Sequence, residues 1–235
     1  MTLAAAAVCP HPPLLVPVAT GGGAGQGDAE LARVRLACTA AVRALTEARP
    51  DLIVIVGGDQ HTTRYPPDTA GTLAGFGVPL SIGSGEPVLP LSLTIGRWLL
   101  PDEHRAELQG VAADLSPAAC LDLGKEIAES APAVAILAMG DGPARRARQA
   151  PGAPDPEADS YDERVAAALA RASAAGLADL DPAQDADLFV AGRAAWQVLA
   201  GAAAASSTAF TGALQYAGAP FEVSYFVANW QSGQT

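Results

Sequence analysis

Residues 52–56, Leu-Ile-Val-Ile-Val, constrain this chain most: the run is β-branched and apolar with no polar alternation, the pattern of a strand buried on both faces of a sheet. Ahead of it, Leu31, Val34, Cys38, Val42 and Leu45 recur at helical spacing between Asp28, a good N-cap, and Pro50. A shorter apolar strand over residues 3–8 precedes that helix and stops at Cys9-Pro10-His11-Pro12-Pro13, where prolines forbid both helix and ladder pairing. Strand, helix and strand in this order form a βαβ unit, and right-handed crossover sets its two strands parallel. The expected fold is α/β, a three-layer α/β/α arrangement around a central, largely parallel or mixed sheet. No linker or repeat divides the chain, so residues 1–235 read as a single domain.

Composition narrows the partners. Half of the residues are apolar and 17% are charged, which suits a packed globule and not a disordered chain. A net charge of −11 argues against broad contact with nucleic acid or anionic membrane, leaving a small molecule as the expected partner and a homo-oligomer open. The apolar opening lacks a basic n-region and runs into prolines, and no other segment reaches the ~18 uninterrupted apolar residues of a span. A cytoplasmic protein is expected. Cys9, Cys38 and Cys120 form no metal or redox pair pattern, so no disulfide is expected; Cys38 and Cys120 read as small buried hydrophobes.

Alanine blurs the periodicity of the rest. Residues 71–85 are a Gly-rich loop with room for a short strand, and 91–100 read equally as helix or strand. Residues 133–139 form another buried strand, broken by Gly140-Asp141-Gly142-Pro143. A polar connector over 144–160 concentrates Arg145, Arg146 and Arg148. One helix opens at Tyr161-Asp162 and runs towards Ala175, another covers 188–205, and 221–230 form an aromatic terminal strand.

Three histidines exist. His104, in Pro101-Asp102-Glu103-His104-Arg105, reads as a surface residue. His11 stands in a proline-fixed segment, and rigid placement suits a ligand. His61 follows Gly57-Gly58-Asp59-Gln60, just past a strand end, where Asp59 could orient the ring or bind metal itself. Both histidines thus follow the carboxyl ends of parallel strands, the edge where open α/β sheets keep ligands. The βαβ geometry brings those strand ends within about 5–10 Å, given neighbouring strands about 4.8 Å apart.

The segment from Cys9 to Pro17, Cys-Pro-His-Pro-Pro-Leu-Leu-Val-Pro, resembles the N-terminal motif of class III extradiol ring-cleavage dioxygenases and the related Memo proteins. Residues 54–61 resemble the second ligand segment of that family, Met139-Gly140-Asp141 its Ser-Gly-Asp segment, and Tyr161-Asp162 its Phe-Asp helix start. Trp196 to Ala202 resembles its Trp followed by Gly-Ala, and residues 216–230 the terminal strand of the small LigB-like proteins. The resemblance implies Fe(II) held by two His and one Glu, with a further His as acid/base acting on a catechol-type substrate. Here Gly192 stands at the place of the Glu and Ala144 at that of the acid/base His. His11 and His61 are therefore the candidate metal ligands, with Asp59 and Glu222 to complete the set, and Asp141 is the candidate catalytic carboxylate. Arg145, Arg146 and Tyr225 are candidate substrate contacts, since guanidinium forks match carboxylates. Two expectations follow: an extradiol dioxygenase with iron, or a degenerate relative with zinc or no metal that serves as a binding or structural subunit.

Overall fold

The computed structural model describes residues 2–17, 26–144 and 156–233. Its elements are β1 (Thr2–Cys9), α1 (Gln26–Glu47), β2 (Leu52–Asp59), β3 (Thr63–Tyr65), β4 (Gly71–Thr72), β5 (Ser81–Ile82), α2 (Leu91–Leu99), β6 (Ala106–Ala112) and α3 (Pro117–Ala128). They continue with β7 (Ala133–Met139), α4 (Pro156–Ala170), α5 (Ala174–Ala178), α6 (Pro182–Leu188), α7 (Arg193–Ala205), β8 (Phe210–Gly218) and β9 (Tyr225–Ser232). Seven strands form one mixed sheet in the order β3-β6-β2-β7-β1-β9-β8, while β4 and β5 make a separate hairpin. The pairs β6/β2, β2/β7 and β7/β1 are parallel, and β3, β9 and β8 join antiparallel.

Alternation along the central strands builds the layers. Ala5, Ala7, Ile53, Ile55 and Leu137 pack against α1 and α2 on one face; Ala6, Val8, Val54, Val56 and Ile136 meet α3, α4 and α7 on the other. The expected three-layer α/β/α architecture is the one observed. Each fully buried Val or Ile contributes about 1.5–3 kcal/mol, so a branched run such as 52–56 anchors both layers at once. Among the described residues, no helix is long and apolar enough to cross a membrane.

Several boundaries differ from expectation for local reasons. The two strands of the opening βαβ unit are parallel but not neighbours, because β7 pairs with both and lies between them. Residues 91–99 are helical, with Leu93 and Ile95 buried. The helix expected from Tyr161 starts at Pro156, since proline is tolerated in a first helical turn. The one expected over 188–205 is divided: α6 ends where Phe189 takes the left-handed conformation, φ 54°, and α7 begins at Arg193. The terminal strand starts at Tyr225, after a turn in which Glu222 has φ 59°.

Connections at the carboxyl edge decide where a site can form. The chain leaves β1 and β2 towards the α1/α2 layer, and it leaves β6 and β7 towards the opposite layer. Adjacent parallel strands therefore part in opposite directions at β7/β1, β2/β7 and β6/β2, and a parting of this kind opens a crevice that can hold ligands.

Candidate functional site

At the β1/β7 corner the prolines after Cys9 turn the chain back over the sheet edge and bury His11, which is 8% exposed. The backbone N–H of His11 donates to Asp141 Oδ1 at 2.8 Å, and its Nδ1 stands 3.6 Å from the same oxygen. That nitrogen is buried and has no hydrogen-bond partner among the described residues. Backbone bonds lace the corner together: Gly140 N–H donates to Cys9 O at 3.0 Å, Gly142 N–H to Ser224 O at 2.7 Å, and Ala191 N–H to Asp141 O at 3.1 Å. Burial pushes the Asp141 carboxyl above its ordinary value, and His11 partly offsets that. Tyr225, buried at the start of β9, also feels this carboxylate: burial first and then Asp141 push its phenol up, so it stays a neutral donor.

The β2 end is built differently. Gly57 is required because a Cβ there would lie 2.5 Å from Ser92 Oγ, which donates to Gly58 O at 2.7 Å and docks α2. Asp59 is engaged already: Tyr65 Oη donates to its Oδ2 and Gln60 N–H to its Oδ1, both at 2.6 Å. Gly110 on β6 leaves room for that carboxylate, since a Cβ there would come within 2.3 Å of Oδ2. The phenol of Tyr65 is pushed up to about 12, by burial and then by the bond to Asp59. His61 lies beyond this turn, exposed to solvent. β7 lies between β1 and β2, so two strand spacings, about 10 Å, separate their ends, the upper limit of the expected range.

These positions bear directly on the iron that the resemblance implies. A buried imidazole with an unpartnered nitrogen is what a metal ligand looks like, and His11 meets that description. The rest of the donor set does not form. Among the described residues, no group of three His, Cys, Asp or Glu side chains converges as a metal site. Glu222 sits exposed in the turn before β9. At Gly192, where the family's Glu would fall, a Cβ would lie 2.2 Å from the Trp196 ring, which is buried edge-on to Phe226 with centroids 5.9 Å apart. The described residues therefore do not fit a three-ligand iron centre. Arg145 and Arg146 lie outside the described residues.

Sequence reasoning missed a second polar cluster. Arg193 and Asp185, both almost fully buried, pair at 3.0 Å between Nε and Oδ2. The guanidinium also donates to Leu115 O at 2.8 Å, to Gln197 Oε1 at 3.0 Å and to Ala113 O. Burial raises Asp185 to about 6, although Tyr161 and Arg193 pull it down. The pair ties α6 and α7 to the chain leaving β6. Beside it, Gly58, Asp114, Asp185, Val190 and Ala191 line a cavity of about 390 Å³ that includes none of His11, Asp141 or Tyr225. Only Arg193 and Gln197 in an otherwise apolar helix, Arg193-Ala-Ala-Trp-Gln-Val, signalled the cluster in the sequence.

No family model matches the chain, and no curated protein does. Among solved structures, the uncharacterized protein JW3007 of Escherichia coli K12 is similar over 96% of this chain and 99% of its own, at 13% sequence identity and a TM-score of 0.46.

Proposed function

We propose that this chain is a relative of the extradiol dioxygenases that binds a catechol-type or other small aromatic molecule at the β1/β7 corner without cleaving its ring. One observation carries the reading: the buried His11 imidazole, its Nδ1 without a hydrogen bond, set against Asp141 in a corner where, among the described residues, the remaining donors of an iron centre do not converge. The three groups there complement a hydroxylated ring. His11 Nδ1 can accept or donate one hydrogen bond according to its tautomer. Asp141 can accept from a ligand hydroxyl when ionised and donate to it when protonated, and its raised carboxyl brings that exchange nearer to neutral pH. The Tyr225 phenol, held neutral, adds a donor.

A titration with 4-nitrocatechol, followed by absorbance and by oxygen electrode with and without added Fe(II), tests this. The expected result is saturable binding that weakens at least about tenfold in His11→Ala, as for loss of a hydrogen bond worth 1.5–3 kcal/mol, with no oxygen uptake. Absence of binding overturns the proposal.

The ring-cleaving reading retains one specific support, the placement of the His11 motif at the carboxyl edge. Oxygen uptake with Fe(II), abolished in both His11→Ala and His61→Ala, would establish that reading in place of ours.

A further inference from the structure

The two edges of the sheet are finished in opposite ways. At one end, β3 is three residues long and carries Arg64, which is ion-paired to Glu107 on β6. Shortness and charge are the usual protections of an exposed edge. At the other end, β8 runs for nine residues, Phe-Thr-Gly-Ala-Leu-Gln-Tyr-Ala-Gly, without a charge or a proline. Among the described residues, β8 pairs only with β9, and its far side meets no strand. Thr211, Ala213, Gln215 and Ala217 are exposed.

We propose that β8 is the interface of a homodimer, in which two copies of this strand pair antiparallel about a two-fold axis and join the sheets. The occupant is argued from charge and symmetry. A chain of net charge −11 repels its own copy over most approaches, yet this strand brings none of that charge to a second copy. The carboxylate that does reach the strand, Glu30, accepts from Tyr216 Oη at 2.8 Å and is paired with Arg33 at 3.0 Å, so it is locally neutralised. An antiparallel strand is complementary to itself under a two-fold, so one contact uses the open edge of both copies and closes the assembly.

The strand also sets the register of the pairing. A bulge between Leu214 and Tyr216 shifts the β8/β9 register and turns the Tyr216 side chain towards α1, whereas Phe210 and Leu214 pack on the opposite layer. The straight part, Phe210 to Leu214, therefore forms the ladder, about 17 Å at 3.4 Å per residue. Gly212 keeps this stretch close to the end of α4, for a Cβ there would meet Leu169 O and Ala172 N at 2.6 Å.

Sedimentation equilibrium of the full chain between 1 and 200 µM tests the proposal. Wild type should dimerise, and the double variants Thr211→Lys/Ala213→Lys and Thr211→Glu/Ala213→Glu should each be at least tenfold weaker, while an equimolar mixture of the two should recover dimer. Hydrogen exchange of wild type gives a measurement free of variants: amides of 210–214 should gain protection as concentration rises, and those of β3 should not. A wild type that stays monomeric at 200 µM, or a dimer untouched by both double variants with exchange of 210–214 independent of concentration, overturns it.

Discussion

The two histidine segments at the carboxyl edge read alike in sequence and differ in physical situation. His11 is buried against Asp141, in a corner laced by backbone bonds from β7, the 191 turn and the start of β9. His61 is exposed past the end of β2, and the carboxylate beside it in sequence, Asp59, is already held by Tyr65 and Gln60. A histidine at a strand end becomes chemically useful only through the strands that sheet order places next to it. For His11 those are β7, followed by Asp141 130 residues away in the chain, and β9. For His61 the neighbouring elements supply a structural clasp.

The strongest way to break this contrast is to disturb the support beneath the β2/β6 corner. Arg193→Ala leaves Asp185 as an uncompensated buried carboxylate, and unfolding in urea should show a loss of about 3–5 kcal/mol. A loss below about 1 kcal/mol would mean that the pair is not buried as described.

Gly192→Glu probes the other corner, where the family's carboxylate would stand. Because the Trp196 ring occupies the space of any Cβ there, this variant should lose about 1–3 kcal/mol and should not gain stoichiometric iron. Iron uptake after that single change would show that the indole moves aside and that the corner retains a complete ligand geometry.

A subtler contrast lies in pH. Asp185 has a folded value near 6 against an ordinary 3.8, so the folded state binds more protons than the unfolded one between these values. Its contribution to stability therefore grows as pH falls through about 6, is complete below the unfolded value, and is lost as pH rises through 6. The difference in unfolding free energy between wild type and Asp185→Asn should change across pH 4 to 6.5 and be flat above pH 7. The smallest effect is expected for His61→Ala, which should stay within about 0.5 kcal/mol of wild type in stability and within twofold in ligand affinity.

Much of the scaffold was legible because the central strands are unambiguous. Residues 3–8, 52–56 and 133–139 lack polar alternation, and the α1 stripe from Leu31 to Leu45 is regular. The sheet member β6 escaped notice because Glu107 and Gln109 interrupt its apolar run; Gln109 is nonetheless buried, its amide donating to Gly110 O at 2.8 Å. Helix α3 was hidden by its alanines, although Ser116 caps it by accepting from Ala119 N–H and Pro117 opens it. At the site, His11 and Asp141 could be picked out because proline and glycine fix their segments. The insertion of β7 between the two histidine strands could not, since it depends on the return of α3 across the opposite face. Of the Arg193–Asp185 cluster only Arg193 and Gln197 were a signal, because two of the carbonyls the arginine meets, Leu115 O and Ala113 O, lie 78 and 80 residues away in the chain.

The most direct test of the account follows the imidazoles of 15N-histidine-labelled protein by NMR during titration with 4-nitrocatechol. The His11 resonances should shift and saturate with the ligand while those of His61 and His104 stay in place. Movement of His61 in step with His11 would contradict the account, because it would put both rings around one ligand.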